Sequence, residues 1–125
     1  MGTGNGLVMS NLENGLDYLP EIKRRILGVS DPEQIILFGS YARGNYGPES
    51  DLDLLVVMKG VKSTRQESNR LRRSLRGLLM PVDILVATPE QLLKHRKTIG
   101  LIYRSLLEEG IVIYERGRDN LHLGS

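Results

Sequence analysis

The chain has 125 residues, of which 40% are hydrophobic and 26% charged. That suits one globular domain with a single core and leaves little room for a second. Lys and Arg number 17 against 15 Asp and Glu, a net charge of +2 that is too balanced to argue by itself for nucleic-acid binding, and the absence of cysteine excludes disulfides, thiolate catalysis and cysteine-ligated metal sites.

The first ten residues, MGTGNGLVMS, are Gly-rich and carry no Lys or Arg. They lack the basic start and apolar stretch of a signal peptide, and no apolar run approaches the length of a membrane span. Residues 1–10 are therefore read as a flexible lead, 11–116 as a single domain and 117–125 as a polar tail, with the cytoplasm as the default location. Leu12, Leu16, Leu19, Ile22, Ile26 and Leu27 recur at helical spacing and predict an amphipathic helix over residues 11–28, kinked or divided by Pro20. Asp31-Pro32 is a turn. QIILFG is a short apolar run that reads as a buried strand ending at Gly39. SYARGNYGPES is loop, with room for a helical turn at its start. DLDLLVVM is a second buried strand, antiparallel to the first because the loop between them is short for a crossover.

KSTRQESNRLRRSLRGLL predicts a helix and PVDILVA a third strand, with Pro81 at a permitted first position. Thr88-Pro89-Glu90 has the N-cap and first-turn chemistry of a helix start. TIGLIYRSLLEEG reads as a further helix ending at Gly110, and IVIYE as a fourth strand. The class is α/β or α+β, a small mixed sheet of about four strands with helices packed on it.

Asp51 and Asp53 stand at the mouth of the second strand. Side chains alternate along a strand, so the two carboxylates share a face about 6–7 Å apart, with Leu52 and Leu54 on the other. Like charges there repel, and a hard divalent cation with oxygen ligands resolves the conflict. The competing reading is two turn residues facing water. Asp83 lies among Val82, Ile84, Leu85 and Val86. A carboxylate inside a buried strand is costly unless paired with a charge or a metal; on an edge strand it would face solvent or pair with a nearby arginine. If the two strands are neighbours, the three aspartates meet on one face. Gly39-Ser40 ends the first strand. Gly39 permits backbone conformations closed to other residues and close approach of a ligand, Ser40 supplies a hydroxyl at a helix start that attracts phosphate, and Arg43 adds positive charge three residues on.

GSYARGNYGPESDLDLLVV followed by VDILV resembles the nucleotidyltransferase domain of the DNA polymerase β superfamily, whose pattern is Gly-Ser, a spacer, Asp-x-Asp on the next strand and a third carboxylate on a later one. The spacer length and its Arg-Gly resemble the small bacterial members, the minimal nucleotidyltransferases. The resemblance covers approximately residues 33–87. It implies a palm-like nucleotidyltransferase fold and transfer of a nucleoside monophosphate from a nucleoside triphosphate to a hydroxyl. It implies Asp51, Asp53 and Asp83 as catalytic metal ligands for two Mg²⁺ ions, with Mn²⁺ as an alternative, and Gly39, Ser40 and Arg43 as the phosphate-binding group. ATP is the expected donor. Members of this kind commonly pair with a helical HEPN-type toxin as its antitoxin, so the resemblance implies AMP transfer to a tyrosine of such a partner. Two other readings remain open: a non-catalytic antitoxin that acts by contact, and a small-molecule nucleotidyltransferase whose acceptor site forms across a homodimer.

Lys62, Arg65, Arg70, Arg72, Arg73 and Arg76 face a single Glu67 in the basic helix 62–76. They read as a solvated face, with docking to an acidic partner surface or to RNA as the functional alternative. No aromatic residue is interleaved among them, which disfavours base stacking. His95 and His122 lack metal-ligand spacing and read as solvated.

Overall fold

The computed structural model describes residues 14–94 and 109–117. In chain order a 3-10 turn, Gly15–Tyr18, leads into α1, Leu19–Val29, followed by β1, Gln34–Phe38, a single helical turn α2, Ser40–Arg43, and β2, Leu52–Val57. Then come α3, Thr64–Ser74, β3, Val82–Ala87, the short α4, Pro89–Lys94, and β4, Ile111–Glu115. The expected helix TIGLIYRSLLEEG up to Glu108, the lead and the end of the tail lie outside the described residues, as do His95 and His122.

Pro20 divides the first helical segment rather than kinking it. The 3-10 turn closes on Asn14, whose side chain accepts from the Leu16 amide, and Pro20 falls in the first turn of α1, where its missing N–H breaks no hydrogen bond. Thr88 and Gln91 form a reciprocal cap at the start of α4: the Thr88 hydroxyl accepts from the Gln91 amide and the Gln91 side chain accepts from the Thr88 amide, satisfying two donors the helix end would otherwise leave open.

The sheet has the order β3-β2-β1-β4. β1 runs antiparallel to both β2 and β4, while β2 and β3 are parallel, the crossover between them being made by α3. Ile35 and Leu37 of β1, Leu54 and Val56 of β2, and Ile84 and Val86 of β3 share one face through the registers of the strands. They form one core with Ile22 and Ile26 of α1 and with Leu71 and Leu75 at the end of α3. Leu55 and Val57 are buried as well, so central β2 is an unbroken apolar run from Leu54 to Val57, as an interior strand requires.

The two helices on this face cap one another. Arg25 of α1 donates to the carbonyl of Arg76 at 2.7 Å, just past α3. Arg70 of α3 donates to the Val29 carbonyl at 2.6 Å, the last residue of α1. Each guanidinium thus meets carbonyls that have no partner within their own helix.

Leu54→Ala, at a side chain with 0% exposure, is expected to destabilise the fold by about 2–5 kcal/mol. Leu85→Ala, on the same sheet at 45% exposure, should cost far less. Urea denaturation of both variants measures the difference, as a lower midpoint at unchanged slope for Leu54→Ala.

Candidate active site

The parallel register sets Asp53 of β2 directly beside Asp83 of β3, and the antiparallel register sets Phe38, the last residue of β1, opposite Asp53 on the other side. Asp53, Asp83 and the end of β1 therefore occupy one corner of the sheet. Asp51 stands just ahead of β2 and is exposed, Asp53 is half-buried, and Leu52 and Leu54 are fully buried on the opposite face. The alternation expected from sequence holds.

Asp83 departs from the picture of a carboxylate enclosed in a core. β3 is an edge strand, the Asp83 side chain is 63% exposed, and its Oδ1 lies 3.2 Å from Arg72 Nη2. The fully buried neighbours, Ile84 and Val86, point to the other face. Both features that would make an aspartate tolerable there without a metal, an edge position and an arginine partner, are present together. Among the described residues no three His, Asp or Glu side chains are gathered into a ready-made metal cage.

The electrostatic cost sits at Asp53 instead. Burial pushes its carboxyl above the usual range, and the negative charges of Asp83 and Asp51 push it further, against the opposing pull of Arg43. Oxygen ligands under mutual repulsion are the donor chemistry a hard divalent cation takes. On that ground the donor chemistry of Asp51, Asp53 and Asp83 suits Mg²⁺ or Mn²⁺, while their side chains are not gathered into a cage.

Gly39 connects the strand end to the carboxylates. Its backbone, φ 75° and ψ −156°, lies in a region essentially confined to glycine. A Cβ added there would collide with Asp53 Oδ2, with Asp53 Cγ at 3.1 Å. The sequence suggests that Gly39 makes room for a ligand; the structure adds that it makes room for the Asp53 side chain. Ser40 follows as the first residue of α2, and the first amides of such a turn have no carbonyl one turn back. Gly44 ends the turn in the left-handed conformation, its N–H bonded to the Ser40 carbonyl. Arg43 leaves the end of α2 and lies 3.6 Å from Glu109, so it serves both an ion pair and the field at Asp53.

The loop from α2 to β2 is held by contacts the sequence did not announce. Tyr41 and Tyr46 stack with ring centroids 4.2 Å apart, and Asn14 donates to the Tyr46 hydroxyl at 2.7 Å. A cavity of about 490 Å³ opens beside this loop, lined among others by Tyr18, Tyr41, Tyr46, Ser50, Met80 and Pro81. Its lining takes in none of the three aspartates.

Of the basic residues of 62–76, Lys62, Arg65, Arg72, Arg73 and Arg76 are exposed, while Arg70 caps α1 and pairs with Glu67. Arg72 is the member that reaches the site. Sequence reasoning allowed for an arginine near Asp83 but could not single it out, because the contact is made between a helix and an edge strand. Among the described residues no helix is long and apolar enough to cross a membrane.

The family model for the nucleotidyltransferase domain matches residues 18–113. A protein of Methanocaldococcus jannaschii named "Putative protein adenylyltransferase" is 37% identical over 82 residues, 66% of this chain and 78% of that protein. The crystal structure of "a putative nucleotidyltransferase from Sulfolobus solfataricus" superposes with a TM-score of 0.58 at 26% identity, covering 81% of this chain and 80% of that one. A structure described as a toxin-antitoxin with AMP-PNP has the same fold, with a TM-score of 0.52 at 18% identity over 87% of this chain and 80% of that one.

Two outcomes test the electrostatics and the close approach. Because the folded-state carboxyl of Asp53 is raised, its ionised form opposes folding at neutral pH and the penalty vanishes once the group is protonated in both states. Asp53→Asn is therefore expected to raise the melting temperature in chelator at pH 7–8, with the gain fading as pH falls below the ordinary aspartate range. Gly39→Ala should destabilise by about 1–3 kcal/mol from backbone strain alone, read by thermal denaturation.

Proposed function

The chain belongs to the nucleotidyltransferase domain family, and on that premise we propose that it transfers AMP from ATP to a hydroxyl of a protein partner. The observation that carries the reading is the pairing of Asp53 with Asp83 across the β2–β3 ladder, with the Gly39-Ser40 turn packed on the Asp53 carboxylate. The name of the archaeal relative supports a protein as acceptor. The toxin-antitoxin neighbour with AMP-PNP supports an adenine nucleotide as donor and a toxin as the partner. A tyrosine of a HEPN-type helical protein is the acceptor proposed, with this chain acting as antitoxin.

Phosphoryl-group transfer demands chiefly positioning and neutralisation of charge on the moving group. Two divalent cations, Mg²⁺ or Mn²⁺, held by Asp51 and Asp53 and with Asp83 on one of them, would when bound neutralise the triphosphate and lower the pKa of the acceptor hydroxyl. The Ser40 hydroxyl and the amides after Gly39 hold the β- and γ-phosphates, and Arg43 adds positive charge beside them. Asp83, exposed at the sheet edge, takes the acceptor proton in this reading. The acceptor oxygen then bonds to the α-phosphorus, the bridging P–O bond to the β-phosphate breaks, and pyrophosphate leaves.

Asp51→Ala and Asp53→Ala are each expected to lower transfer by more than about 100-fold, the upper end of the loss caused by removing a residue that only hydrogen-bonds to a metal ligand, while the proteins stay folded. The assay is labelled ATP with Mg²⁺ and a co-expressed HEPN partner, followed by intact-mass measurement of the partner. A partner that is inhibited yet unchanged in mass would replace transfer by action through contact alone.

A further inference from the structure

Arg72 holds Asp83 through a contact that the proposed chemistry does not use. It lies in the last turn of α3, beside edge strand β3. Its Nη2 donates to Asp83 Oδ1 at 3.2 Å and to the Ile84 carbonyl at 3.0 Å, and its Nη1 donates to Asn69 Oδ1, also at 3.2 Å. The guanidinium is thus fixed by a main-chain carbonyl and by a side chain of its own helix, and from that mooring it reaches the carboxylate. Lys62, Arg65, Arg73 and Arg76 lie on the same helix or beside its ends, and none has an ion pair with Asp83 among the described residues.

We infer that Arg72 is a built-in counter-cation for Asp83, which a divalent ion entering the site displaces. The inference rests on the nucleotidyltransferase reading above. Three carboxylates at one corner of a sheet need positive charge whether or not a metal is bound. Arg43 acts on Asp53, and Arg72 covers Asp83. The Arg72–Asp83 pair is also built to be given up. Its side chains are 47% and 63% exposed, so water screens the attraction. A divalent ion with oxygen ligands makes a stronger contact with the same carboxylate. When Asp83 is released, Arg72 keeps its bonds to Ile84 and Asn69, so the exchange needs no movement of α3.

The test is a Mn²⁺ titration of the full chain, with free Mn²⁺ followed by electron paramagnetic resonance and no turnover involved. Arg72→Gln is expected to bind Mn²⁺ about two- to fivefold more tightly than the parent, the range that losing an exposed ion pair allows. Arg72→Lys should fall between the two. Arg76→Gln, which removes an equal charge from the same region, should leave binding unchanged. In an Asp83→Asn background the Arg72→Gln effect should vanish, the signature of coupling through that pair. Unchanged or weaker binding in Arg72→Gln, an equal gain in Arg76→Gln, or a gain that survives Asp83→Asn would each overturn the inference. If Mn²⁺ binding depends on Asp51 and Asp53 but not on Arg72, the inference alone fails. If the parent chain binds no Mn²⁺, the metal-dependent reading fails with it.

Discussion

Leu52, Leu54 and Val56 fill the helix-covered face of β2 without any exposed surface, and everything at the site depends on that commitment. Strand side chains alternate, so burying these three residues sends Asp53 to the opposite face. A slip of one residue would bury Asp53 and expose the leucines, an exchange that no pairing energy in the sheet offsets. With β2 held, the parallel ladder places Asp83 beside Asp53 and the antiparallel ladder brings the end of β1 to the same corner. The geometry of the proposed site is thus a by-product of hydrophobic register.

Position within the sheet then decides the electrostatics. Asp53 is on a central strand and half-buried, so the neighbouring negative charges act on it through poorly screened surroundings. Asp83 is on an edge and faces water. Two aspartates side by side in the ladder therefore live in different dielectric environments. The edge has a second consequence. Unpaired carbonyls on an edge strand invite pairing with another chain, and Arg72 occupies one of them, at Ile84.

The basic helix looks uniform in sequence and is not uniform in space. Arg70 is turned toward α1 and caps its last carbonyl, Arg72 is turned toward β3, and Arg65, Arg73 and Arg76 face solvent. One run of similar residues thus divides into a helix cap, a site contact and a solvated face, because 100° of rotation per residue sends neighbours in different directions.

Much of this was legible beforehand, for identifiable reasons. Apolar runs of Ile, Leu and Val marked all four strands, and the short connection made β1 and β2 antiparallel. The spacing of Asp51 and Asp53 gave a shared face because strand period is a local property of the backbone. The Gly39-Ser40, Asp51-x-Asp53 and Asp83 pattern was sufficient to reveal the family. Asp83 was harder. Its apolar neighbours suggested a buried carboxylate, but those neighbours bury themselves on the other face of an edge strand, and whether a strand lies at an edge is settled by pairings between distant segments. The same holds for Arg72 on Asp83, the Tyr41–Tyr46 stack and the Asp53 carboxylate against Gly39. The sequence by itself determined which residues are the candidates for the chemistry and which face of a strand they share, since both follow from residue type and local period. Only the tertiary structure decided how exposed each carboxylate is and which cation attends it, since burial and charge pairing arise where separate segments meet.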